Sequence, residues 1–273
     1  MEEESIKFSA TCESFTISII MLIEAKKLQS LTIHALDGEV GRVDELLFDD
    51  EFWTVRYLII DTGNWLVNRK VLIAPQSLGE IDWVHLTLSV NLTRAQIENS
   101  PGVEMDQPVS RQWERGYFDY YSWPYYWWNS AESAGNDDPA QERKVSEKAH
   151  QNDDGHLRST KEVSGYSLQA TDGSLGHIED FIVRDGTWRI CYLGVDTKNW
   201  WPGKITLLTP EWISEVDWPG RSVHVSVTRD QVKGAPEWER DKPITPLIEE
   251  RLYRYYDRQE VALVSVDEKK ENQ

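Results

Sequence analysis

A chain of 273 residues that is 40% hydrophobic and 28% charged has the composition of a folded protein, with room for one large or two small domains. Its 29 Lys and Arg stand against 47 Asp and Glu, and the resulting net charge of -18 repels phosphate backbones and anionic headgroups, so nucleic acid is not an expected ligand. Cys12 and Cys191 are too few and too far apart in sequence for a metal-ligand cluster or a disulfide framework, and the cytoplasm is the expected compartment.

The first apolar run, "FTISIIMLI" from Phe15 to Ile23, is about half a bilayer span, follows "MEEES" rather than Lys or Arg, and has no small-residue cleavage site after it. Neither a membrane helix nor a secretory signal is predicted. From Leu22 onward the chain is written twice. "ALDGEVGRVDELLFDDEFWTVRYLIIDTGNW" (Ala35 to Trp65) matches "ATDGSLGHIEDFIVRDGTWRICYLGVDTKNW" (Ala170 to Trp200), placing Asp37, Gly38, Gly41, Asp61 and Trp65 on Asp172, Gly173, Gly176, Asp196 and Trp200. The same register runs on without a gap through "LTRAQIENSP" and "VTRDQVKGAP" to Tyr120-Tyr121 and Tyr255-Tyr256. A duplication is therefore predicted: an extension over 1–21, unit one over 22–128, a linker over 129–156, unit two over 157–260 and a tail over 261–273. Met21, just ahead of the repeat, is the expected true start. The linker, "NSAESAGNDDPAQERKVSEKAHQNDDG", has too little apolar surface to offset its ordering entropy and is expected to be mobile.

Within a unit, Asp37-Gly38 (Asp172-Gly173) sits between two β-prone runs as a hairpin signal. Next, "EFWTVRYLIID" carries Trp53, Val55, Tyr57 and Ile59 on one face at period two. "RKVLIAP" and "VHLTLSV" add further strands. Four to six short strands joined by tight turns predict a small antiparallel β-barrel or a strongly curled sheet. Thr93-x-x-Gln96 and Thr228-x-x-Gln231 are capping boxes that open short helices ending at Pro101 and Pro236. Second helices are predicted over Ser110 to Tyr121 and Thr245 to Arg258, with Pro246 at the first helical position.

"TIHALDGEVGRVDELLFDDEFWTVRYLIIDTGNWLVNRKVLI", followed by "VNLTRAQIENSP", "PVSRQWERGYFDYY" and "WPYYW", resembles the PRC-barrel family. That family is named for the cytoplasmic domain of the reaction-centre H subunit and includes the C-terminal domain of a ribosome maturation factor. The resemblance covers both copies. It implies two small β-barrels in tandem, mainly β overall, each followed by short helices. It is closest to soluble bacterial tandem proteins of this kind. The H-subunit relatives carry a membrane helix that is not predicted in this chain.

The copies share Asp37/Asp172, Asp61/Asp196, Asn64/Asn199, Glu80/Glu215, Asp82/Asp217, Arg94/Arg229 and Glu114/Glu249, but no His and no Cys. No duplicated general base or metal site is expected, nor any cofactor, phosphate loop or nucleophile elbow. Glu80 with Asp82, and Glu215 with Asp217, read as turn chemistry or as a carboxylate pair. Asp61 and Asp196 read as Asx turns, with a ligand role as the alternative, and Arg94 and Arg229 as helix ion pairs or partner contacts.

"GYFDYYSWPYYWWNS" (Gly116 to Ser130) holds nine aromatic residues in fifteen. Tyr120-Tyr121 belong to the repeat, whereas Trp123, Tyr125, Tyr126, Trp127 and Trp128 have no counterpart in copy two. Packing against the other copy or a second molecule is the expectation, burial between the copies foremost, with a partner-protein hot spot, or stacking on a sugar, pigment or membrane interface, as rivals. The resemblance implies a non-enzymatic interaction or adaptor module with an unidentified protein partner, self-association remaining open. The alternatives are an accessory protein of photosynthetic reaction centres and a hydrolase using the carboxylate pairs.

Overall fold

The computed structural model describes residues 21–66, 69–104, 108–127, 156–197, 205–240 and 242–255. Residues 1–20, Trp128 and the linker to 155, Trp200 and the tail from 256 lie outside the described residues.

The first copy contributes β2 (Thr32–Ala35), β3 (Gly38–Asp49), β4 (Thr54–Asp61), β5 (Arg69–Ile73), β6 (Leu78–Asp82), β7 (Thr87–Val90) and β8 (Val103–Glu104), in the order β6-β7-β2-β3-β4-β5-β8. The second contributes β10 (Ser167–Ala170), β11 (Gly173–Arg184), β12 (Ile190–Asp196), β13 (Ile205–Leu208), β14 (Ile213–Asp217) and β15 (Ser222–Val225), in the order β13-β12-β11-β10-β15-β14. The fold is mainly β, with two sheets. Two features depart from the predicted antiparallel barrels. β2 pairs with β7, and β10 with β15, in parallel. Among the described residues, no pairing joins the two ends of either path, so neither sheet closes. Period-two alternation is the same for parallel and antiparallel strands, which is why the pattern did not reveal the mixed sheet.

Helices α2 (Arg94–Glu98) and α5 (Arg229–Gly234) open with the expected capping boxes. Helix α3 (Arg111–Tyr121) is capped by the Ser110 hydroxyl, which accepts the Trp113 N–H.

The copies are joined by exchange of their first elements. Strand β1 (Leu22–Glu24) and helix α1 (Ala25–Leu28) open copy one, yet β1 pairs with β11 of copy two, Ile23 opposite Val183. Strand β9 (Leu157–Ser159) and helix α4 (Thr160–Val163) open copy two, yet β9 pairs with β3 of copy one, Phe48 opposite Arg158. The registers are symmetric: Leu22 faces Arg184 as Leu157 faces Asp49. The β3–β4 and β11–β12 turns complete the seam, since Ile190 N–H donates to the Trp53 carbonyl at 2.7 Å and Val55 N–H donates to the Trp188 carbonyl at 2.8 Å. This is an isologous, two-fold arrangement within one chain. A continuous buried core runs across it, with Phe48 and Phe181 ring centroids 5.6 Å apart. Trp53 and Trp188 have φ of 51° and 59°, so Trp53 is not the strand residue that alternation predicted. A bulky side chain in the left-handed region is strained by about 1–3 kcal/mol, and here the seam hydrogen bonds hold it.

Charged groups also cross the seam. Lys26 pairs with Glu179 at 2.5 Å, and its repeat-mate Lys161 pairs with Asp44 at 2.7 Å. Asp180, only 3% exposed, accepts the Phe181 N–H at 2.8 Å and, across the seam, the Lys26 N–H at 3.3 Å. Burial pushes its carboxyl up to about 6 from an ordinary 3.8. The folded protein therefore holds a proton between about pH 4 and 6 that the unfolded chain releases, and this group's contribution to stability falls as pH rises through that window. Asp180→Asn should remove this contribution. Relative to wild type, the variant should gain up to about 3 kcal/mol between pH 4 and 7 in urea unfolding; parallel pH profiles would refute the assignment.

Candidate functional site

Where the two copies meet, the β3–β4 turn of copy one and strand β14 of copy two enclose an open cleft of about 720 Å³. Copy one lines it with residues 50–54, and copy two with Arg189, Pro210, Glu211 and residues 213–216. β14 pairs only with β15, so it is the edge of its sheet. Ile213 and Val216 are half-buried, and Ser214 and Glu215 are exposed. Asp50 is held by Arg158 at 2.9 Å and Glu211 by Arg189 at 3.3 Å. Glu51 and Glu215 have no ion pair among the described residues, and Phe52 keeps 46% of its surface exposed. The mirror-related turn carries Gly186 and Thr187 in place of Glu51 and Phe52, so the charge and the ring are on one side only.

Sequence reasoning did not single out Phe52. The available signal was an apolar residue in a turn whose repeat-mate is Thr187.

The aromatic segment lies elsewhere, and the expectation that it is buried between the copies is corrected. Trp123, Tyr125, Tyr126 and Trp127 fold back on α3 and cover the outer face of their own sheet, over Leu47, Tyr57, Ile59, Leu72, Tyr117 and Phe118. Trp123 stacks on Tyr121 at 4.4 Å and Trp127 on Tyr125 at 4.8 Å. Trp128 lies outside the described residues. The layer is organised by Glu114, whose side chain is fully buried. Its Oε1 accepts hydrogen bonds from the Tyr57 hydroxyl at 3.0 Å and the Tyr126 hydroxyl at 2.9 Å. Its Oε2 lies 2.9 Å from an Arg111 guanidinium nitrogen, an ionic contact, and 3.0 Å from His156 Nε2, neither with hydrogen-bond alignment. Burial first, and then the Glu114 charge, pushes the Tyr57 and Tyr126 phenols well above their ordinary range. Both hydroxyls therefore stay protonated as donors.

Most repeated residues hold the fold. Asp37 Oδ1 accepts the Arg94 N–H at 2.7 Å, and Asp172 Oδ1 accepts the Arg229 N–H at 2.8 Å, so each hairpin turn ties down a helix start. Asp61 Oδ1 accepts the Gly63 N–H at 2.9 Å, an Asx turn, whereas Asp196 is buried. Gly38 and Gly173 both have φ of 142°. A Cβ at Gly41 would lie 2.2 Å from the Asp61 carbonyl oxygen, and at Gly176 2.0 Å from that of Asp196, so neither place admits a side chain. Arg94 was expected to pair with a helix acid. Instead its guanidinium lies 4.5 Å above the Trp65 ring, with no carboxylate partner among the described residues. The equivalent Trp200 lies outside the described residues.

No described pocket gathers the Glu80/Asp82 carboxylates. Both are exposed, and Asp82 accepts the Val84 and His85 N–H groups at 2.8 and 3.0 Å in a turn. Asp217 likewise closes a turn on Gly220. His177, Glu179 and Asp196 lie close enough together to suggest metal ligands. Glu179, however, is already held by Lys26 at 2.5 Å and Arg240 at 2.8 Å, and two cations on one carboxylate oppose a third.

No protein-family model matches this chain. Comparison with curated proteins finds no match either. No helix among the described residues is long and apolar enough to cross a membrane.

Glu114→Ala would leave Arg111 and His156 without a carboxylate, and the buried Tyr57 and half-buried Tyr126 hydroxyls without an acceptor. Urea unfolding should show a loss of about 3 kcal/mol, against little change for exposed Glu39→Ala. A loss under about 1 kcal/mol would mean that Glu114 does not organise the aromatic layer.

Proposed function

We propose that this chain is a non-enzymatic protein-interaction module of the cytoplasm, built from two PRC-barrel-like units. The units supply the scaffold, in keeping with the repeated motif and the two β-sheets. One observation carries the reading: the cleft at the seam, where an edge strand, an exposed phenylalanine and unpaired carboxylates meet. Isolated edge strands tend to be short, charged or covered. β14 is short and carries Glu215 and Asp217, which opposes its pairing with a second copy of itself, and it borders the cleft. Apolar rings rimmed by charge are a common make-up of contact surfaces.

A photo-crosslinking amino acid at Ser214 tests this in the native cell. A discrete adduct of fixed mass is expected from Ser214, and none from the remote, exposed position Val84. Equal labelling from both positions, or none from either, would overturn the reading.

A further inference from the structure

We propose, resting on the interaction reading above, that the seam cleft receives an extended cationic segment of a partner protein, which adds to β14 as a further strand. The argument starts from the backbone. β14 bonds to β15 along one side, and no strand among the described residues pairs with its other side. An incoming extended segment would satisfy those groups, as in other strand additions. The remaining sheet ends are less suitable. β5 is covered by β8, and β13 carries a bridge from Thr206 to Glu237. β6 is exposed, but the turn beside it offers Gly186 and Thr187 instead of Glu51 and Phe52.

Charge then selects the occupant. Glu215 and Asp217 are exposed on the edge strand, and Glu215 lines the cleft together with Glu51 of the other copy. Glu51 and Glu215 are not neutralised by any described cation. Like charges directly opposite one another are unfavourable, so two copies of this edge would repel, as would an acidic strand. Lys or Arg at alternate positions, about 7 Å apart along a strand, would meet this acidic rim, while the residues between them would face Phe52 and Val216. The net charge of -18 also steers a cation towards the protein from a distance. Because the corresponding turn of copy two carries Gly186 and Thr187 in place of Glu51 and Phe52, one segment binds per chain.

Fluorescence anisotropy on the intact protein tests this with a labelled peptide of about eight residues alternating Lys and Val. Two controls are the same peptide with N-methylated backbone amides and one with Glu in place of Lys. Wild type should bind the Lys peptide at one site, the N-methylated form at least about tenfold more weakly, and the Glu peptide not at all. Glu51→Lys with Glu215→Lys, both at exposed positions, should weaken the Lys peptide about tenfold and gain the Glu peptide. Equal binding of the N-methylated form would overturn strand addition, and an unchanged affinity in the double variant would overturn the location. If no peptide binds while Ser214 still crosslinks to a partner, this inference falls and the interaction reading stands; if both fail, both fall.

Discussion

The reciprocal exchange of first elements is the constraint on which the rest of the molecule depends. β1 and α1 complete the sheet of the second copy, and β9 and α4 complete that of the first. Leu22, Ile23, Ala25 and Leu28 are buried in the core that holds residues of both copies. Burying such side chains contributes about 1.5–3 kcal/mol each for the large ones, in a core that runs across the seam. The left-handed Trp53 and Trp188 are part of the same arrangement, because each passes a carbonyl to the other copy.

Duplication inside one chain also releases the copies from identity. A homodimer would carry two equal clefts, whereas here the turns differ, with Glu51 and Phe52 on one side and Gly186 and Thr187 on the other. The same divergence marks the outer faces. In copy one, Glu114 is buried under an aromatic layer and collects two phenols, an arginine and a histidine. In copy two, its mate Glu249 pairs with Arg184 at the surface. Tyr192, the mate of Tyr57, has its phenol pushed up to about 12, chiefly by burial. The common scaffold thus supports two different electrostatic settings. His156 adds an asymmetric tie, since it belongs to the segment that enters copy two but contacts the buried acid of copy one.

Local chemistry was legible in advance where neighbours in sequence do the work. The capping boxes at Thr93 and Thr228, the Ser110 helix start, the Asx turn at Asp61 and the strand pattern all act within a few residues, so sequence spacing is enough to define them. Contacts over long range were not legible. The tie from Asp37 to Arg94 spans 57 residues, and nothing in the Asp-Gly pair names its distant partner. Arg94 stacks on Trp65 because tertiary folding brings an indole beneath it, where local reasoning expected an acid.

By itself the sequence determined the duplication, its register, the mainly β class and the residues that cap and turn the chain. These follow from identity at a fixed offset and from local hydrogen-bonding needs. Only the tertiary structure decided which strands pair in parallel, that the first elements change places, that the aromatic segment covers its own sheet, and that an acidic cleft opens at the seam. The physical reason is that a strand's alternation records which face is buried and is silent on what buries it.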